Sequence, residues 1–256
     1  MGDTPFSFIG AADVYMDILD DAGNPTGLDL EGDCSEFTPK PDSDRKDRTG
    51  HGRSNYGQVL SSAVLPKPMT ATIKMGQLSR KLFAAAFLGT DSDYTQAAGE
   101  ISPAIVITAI HGKWVELGVE MVSALVVKDS TGTTTYTDSG TDPDYVVNTR
   151  LGMVKVLSTG TIADGATLQV TGNKLAIAGS EMKAMTKSNV RVRIKLDGQN
   201  FDDGRNFITD IYQFRLNPTS DFSLIGEDYV DVTFEGTLEK PAGKDTPMRH
   251  VWLSGS

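Results

Sequence analysis

Three short stretches near the C-terminus constrain this chain most, because each alternates apolar and polar residues at the two-residue period of a half-buried β-strand. In the first, Val190, Val192, Ile194 and Leu196 interleave with Arg191, Arg193, Lys195 and Asp197. In the second, Tyr212, Phe214 and Leu216 interleave with Gln213 and Arg215; in the third, Val230, Val232, Phe234 and Leu238 interleave with Asp231, Thr233, Glu235 and Glu239. The segment from Asp197 to Gly204 is rich in turn formers, and Asn217-Pro218 ends the second stretch by removing a backbone donor. The pattern predicts an antiparallel sheet with one face on a core and one in water. A wet face that is charged but regular is more often a building surface than an active site.

A length of 256 residues with 39% hydrophobic and 23% charged content allows one large all-β domain or two smaller ones. No apolar run approaches the roughly 20 residues that span a bilayer. Met1 to Pro5 has neither a basic head nor an apolar signal core, so the expectation is assembly in a cytoplasm with no membrane partner. The single cysteine, Cys34, cannot form an internal disulfide, and reads as a small side chain at a strand end. With 24 basic against 34 acidic side chains, the net charge of -10 argues against gripping nucleic acid through its phosphates. A conduit that lets DNA pass without holding it remains compatible with that charge.

Along the chain, Val14, Met16 and Ile18 mark a first strand, Asp20 to Pro25 a turn, and Leu28 to Phe37 the return of a hairpin. Thr38 to Gly57 is charged and almost without apolar residues, and reads as a long loop of the kind that binds something or is disordered. Val59 to Val64 and Met69 to Met75 read as strands around a turn at Pro66-Lys67-Pro68. One helix is expected between Gln77 and Leu88, with Leu78, Leu82, Ala85 and Ala86 on its apolar side and Gly89 as its stop. From Ile101 to Ile177, threonine, valine and glycine alternate with turn residues, as in a small β-sandwich of immunoglobulin-like size. Polar linkers flank it. The expected organisation is a discontinuous parent domain, 1–98 and 180–256, carrying an inserted β-sandwich, 101–178.

Catalytic and metal-binding patterns are sparse. His51, His111 and His250 lie far apart, and there is no HExxH, CxxC or G-x-S-x-G. Gly50 to Asn55 only half resembles a phosphate loop. Asp138, Asp142 and Asp144, and Asp197, Asn200, Asp202 and Asp203, lack EF-hand spacing and read as turn chemistry. Trp114 and Trp252 read as packing anchors. The expectation is a non-enzymatic protein with no cofactor and no metal.

The runs Asn189 to Asn200, Ile211 to Pro218 and Phe222 to Leu238, in that order, resemble the C-terminal half of bacteriophage major tail tube proteins. The N-terminal hairpin, the charged loop and the helix ending in Ala84-Ala85-Ala86-Phe87-Leu88-Gly89 are similar to that family in order. The resemblance covers the two halves of the parent domain. It implies an antiparallel β-sandwich or half-barrel with one flanking α-helix. It further implies hexameric rings that stack into a hollow tail tube, a structural part of the virion; the tail expected here is long, flexible and non-contractile, a type the resemblance does not itself decide. Such a tube meets a tape measure protein, a tail terminator and distal tail or baseplate proteins, and DNA passes through it without specific binding.

On that expectation Arg45, Lys46, Arg48 and Arg53 of the charged loop bridge stacked rings, while Asp231, Glu235 and Glu239 on the wet face of the third stretch line the lumen and repel phosphates. The alternative is a tail or surface adhesin whose β-sandwich binds carbohydrate or calcium. A further rival is a hydrolase with an acidic pair in the C-terminal hairpin.

Overall fold

The computed structural model describes residues 6–218 and 222–253. The chain divides into two compact units, Met1–Asp91 with Met182–Ser256, and Ser92–Glu181. Its architecture is all-β with antiparallel sheets, and one helix lies among the described residues.

In the first unit the chain forms β1 (Gly10–Ile18), β2 (Asp29–Leu30), β3 (Cys34–Thr49), β4 (Val59–Met75) and α1 (Arg80–Ala86). It then crosses into the second unit along β5 (Thr90–Gln96), continues there as β6 (Gly99–Glu100), β7 (Ile105–Thr108), β8 (Trp114–Glu116), β9 (Val122–Asp129), β10 (Tyr145–Asn148), β11 (Met153–Val156) and β12 (Thr167–Lys174), and crosses back along β13 (Ile177–Lys183). It returns as β14 (Val190–Asn200), β15 (Asn206–Pro218), β16 (Val232–Leu238) and β17 (Met248–Trp252). The first unit's sheet runs in the order β2-β1-β14-β15-β16-β4-β3, with β17 also on β15.

The alternation of the three C-terminal stretches does set the core. Val190, Val192, Ile194, Leu196, Phe214, Leu216, Val232, Phe234 and Leu238 are all buried, together with Ile73 and Met75 from β4 and Leu82 and Ala85 from α1. The third stretch begins later than expected, since Val230 precedes β16 and is only half-buried, and a phase error appears in β15, where the core residue is Ile211 and Tyr212 is only half-buried. The cause is a bulge. Val192 faces Phe214 but Ile194 faces Ile211, so β15 spends one extra residue between them. The bulge sits where β17, paired to Phe207–Ile211, gives way to β16, paired from Phe214 onward.

Three further expectations are corrected. The return of the first hairpin is only the two-residue β2; Cys34 begins β3, which pairs with β4, while β1 pairs along its whole length with β14. Pro66-Lys67-Pro68 is no turn but part of one uninterrupted strand, β4. The helix is shorter than its apolar spacing predicts, because Ser79 caps it by accepting from Leu82 N at 3.2 Å. At its other end Leu88 N and Gly89 N close a Schellman turn onto Ala85 O and Ala84 O. Leu88, at φ +47°, takes the left-handed position expected of glycine; Gly89 is required instead because a Cβ there would lie 2.5 Å from Lys183 O.

The second unit is a two-layer sandwich. One sheet has the order β10-β11-β8, the other β6-β12-β7 with β9 on β12. Its core gathers Ile107, Val127, Leu168 and Val170 from one sheet and Tyr145, Val154 and Val156 from the other. β5 and β13 pair as a separate two-stranded sheet.

Candidate functional site

The most distinctive feature of the first unit is what β3 and β4 do after leaving the sheet. β16 pairs with β4 only from Met75 to Thr70. Beyond that point β3 and β4 continue alone as a two-stranded arm, Asp42 opposite Lys67 through Thr49 opposite Val59. Eight paired residues carry the arm roughly 25 Å past the sheet. This replaces the long charged loop expected for 38–57: only 50–58 form a turn, and the charged residues before it are strand.

The sequence hides the arm because neither strand buries a face, so no two-residue hydrophobic period exists to detect. The first ten residues of β4 are all exposed, Val59, Leu60, Val64 and Leu65 among them at 49–65%. Prolines at 39, 41, 66 and 68 mark its root, where backbone donors are removed from edges that would otherwise pair indiscriminately. A register shift between Lys40 and Asp42 marks the same point.

At the tip Gly50 N donates to Gln58 O at 2.7 Å and Gly57 N to Gly50 O at 2.9 Å. Asn55 Oδ1 accepts from Gly52 N at 2.9 Å, so a side chain of the turn fills the concavity that a phosphate loop would offer. Tyr56, 78% exposed, stands edge-on to His51.

The four basic residues expected to bridge rings all lie on this arm, and they divide. Arg45 Nε is engaged by Asp47 Oδ1 at 2.8 Å and Ser62 Oγ at 2.7 Å. Hydrogen bonds from Ser62 and then Arg45 hold the Asp47 carboxyl below its ordinary pKa. Lys67 pairs with Asp44 at 2.9 Å on the other face. Lys46, Arg48 and Arg53 are exposed and have no partner among the described residues.

The three acidic residues expected to line a lumen also divide. Asp231 precedes β16 and pairs with Lys74 at 3.1 Å; Glu239 follows it and pairs with Arg215 at 2.8 Å while accepting from Gln213 Nε2 at 2.5 Å. Glu235 is exposed at the centre of β16, opposite Thr72 on one side and Asn217 on the other. The face is thus neutral hydroxyls and amides with balanced ion pairs and one open carboxylate.

The remaining polar clusters act as turns. In the second unit Asp144, 6% exposed, accepts from Thr137 N, Thr161 N and Thr161 Oγ1, while Asp138 and Asp142 are exposed. Burial raises the Asp144 pKa, but those bonds outweigh it and the net shift is downward. In the first unit the fully buried Asn200 accepts from Ile9 N at 3.0 Å and donates to Ser7 O and Asp203 Oδ1, each at 2.9 Å. His250 Nδ1 lies 2.8 Å from Thr209 Oγ1, and His111 Nε2 2.8 Å from Ile162 O. Trp252 packs edge-on to Phe6, Phe8, Phe207 and His250, as an anchor does; Trp114, 44% exposed, does not. Among the described residues no three His, Cys, Asp or Glu side chains are placed to hold a metal.

The first unit is thus an antiparallel sheet from which the two-stranded β3–β4 arm continues, and the arm carries basic groups without partners among the described residues. The chain belongs to the family described as "Protein of unknown function UCP028589", whose model matches residues 7–248. Nothing among curated proteins matches it.

Proposed function

We propose that this protein is a self-assembling structural subunit, the major subunit of a phage tail tube that closes as hexameric rings and stacks into a DNA conduit. The observation that carries the reading is the β3–β4 arm. A lone two-stranded ribbon is at best marginally stable in water, and this one also holds Val59, Leu60, Val64 and Leu65 exposed on strands with open edges. A second copy laid against the arm covers those side chains and pairs those edges, and repetition of one head-to-tail contact generates a ring or a filament. The resemblance of Asn189–Asn200, Ile211–Pro218 and Phe222–Leu238 to tail tube proteins selects the tube among such assemblies.

The wet face of β16 and β4 is the surface assigned to the lumen. The cations of this face, Lys74 and Arg215, are neutralised by Asp231 and Glu239, so it offers phosphates little net attraction, and Glu235 adds a repulsive charge. Sedimentation velocity over a hundredfold range of concentration, with and without a tail initiator complex, tests the proposal. The expected result is concentration-dependent growth to species of six copies and larger. A single monomer peak throughout, or a closed trimer that binds glycans, would instead favour an adhesin.

A further inference from the structure

Buried side-chain oxygens without partners are few in a well-folded protein, and each calls for a physical explanation. Among the described residues two of them, Glu31 Oε2 and Asp91 Oδ1, belong to side chains that line one cleft. The cleft holds about 340 Å³ and lies at the β2–β1 end of the first unit's sheet, beside α1. Its floor is apolar, from Met16, Ile18, Ala85 and Val190. Its walls carry Asp20, Asp29, Glu31 and Asp91 against Lys81 and Lys187. The existing cations leave the orphan oxygens unserved: Arg80 Nε takes the other oxygen of Asp91 at 2.8 Å, and Lys81 reaches only the exposed Asp29, at 3.5 Å.

The opposite deficit lies at the other end of the sheet order. The arm of β3 and β4 carries Lys46, Arg48 and Arg53 exposed and without partners among the described residues, and Arg53 stands in the turn at its tip. A guanidinium has a flat apolar face for the apolar lining of such a cleft and a charged fork of donors that complements its four carboxylates. Arm and cleft are different patches, so one copy's arm in the next copy's cleft is a heterologous contact, which propagates to rings or filaments.

We propose that the acidic cleft beside β1, β2 and α1 is the receptor for the arm tip of a second copy, with Arg53 entering toward Glu31 and Asp91 and with Lys46 and Arg48 flanking it. The proposal rests on the self-assembly reading and adds the partner surface. The arm tip is exposed, so Arg53→Glu leaves the fold intact. Two variants are read beside the unmodified chain by sedimentation. Arg53→Glu raises the concentration needed for association at least tenfold. Arg53→Lys supplies an amine for zero-length carbodiimide cross-linking in a mixture of isotopically light and heavy chains, and yields light-to-heavy links to Glu31, Asp29 or Asp91. Association unchanged by Arg53→Glu, or links that run instead to carboxylates elsewhere such as Glu235, overturns the receptor while leaving self-assembly standing. Failure of the unmodified chain to associate at any concentration, with an initiator complex present, removes self-assembly and the receptor with it.

Discussion

Phe234 has no exposed surface and stands at the centre of the first unit's core, between Ile73 of β4 and the β15 strand. Phe234→Ala should lower stability by about 3–5 kcal/mol, the usual range for a buried phenylalanine, measured by urea unfolding. Asp210 illustrates the charged face of the same sheet. It is 5% exposed and bonded by Arg249 at 2.8 Å and Lys195 at 3.3 Å. Burial raises its pKa, but the bonds from Arg249 and Lys195 outweigh burial and hold it below the ordinary carboxylate value. A depressed folded pKa means that the stabilisation is present above the unfolded value, about 3.9, and is lost as pH falls through the lower folded one. Asp210→Asn should therefore cost about 1–2 kcal/mol at pH 7 and much less at pH 2, in paired urea titrations. An equal loss at both pH values would show that the residue acts by packing.

The elements differ in how much the sequence discloses of them. β14 and β16 are legible because every second side chain is buried, and Gly236 is silent in the pattern for a steric reason: a Cβ there would meet Arg215 O at 2.0 Å. The arm is illegible because its strands are held by backbone pairing alone. Its lack of apolar periodicity reads as loop, and Pro66-Lys67-Pro68 reads as a turn although the chain runs straight through. The difference changes the deletion that tests it: removing Asp42 to Arg53 would leave half of β4 unpaired. Excising Asp42 to Lys67 and closing on a two-residue Asn-Gly turn should leave a cooperatively folded chain that no longer associates, by circular dichroism melts and sedimentation. Of the candidate site, the sequence located the four basic residues but not that Arg45 is held by Asp47 and Ser62. It gave no sign of the orphaned Glu31 and Asp91, which only the folded chain brings to one cleft. The second unit has its own core, so residues 92–181 expressed alone should fold and melt in one transition, independent of the rest.

For the whole molecule, the proposed assembly draws on the open-edged sheet, the arm and the charged cleft of the first unit. Its overall acidity, -10 over 256 residues, disfavours holding phosphates, as the proposed lumen face of β16 and β4 requires. Glu235 is the open charge on that face, and Glu235→Lys should leave assembly intact while slowing DNA ejection from particles that carry it. Normal ejection would place that face elsewhere in the assembly. The central claim, that this chain builds a hollow tube, meets its most direct test in negative-stain electron microscopy of the purified protein at increasing concentration and with an initiator complex. The account predicts six-fold rings and stacked, stain-filled tubes. Fields of uniform single particles at every concentration, with neither rings nor tubes, would contradict it.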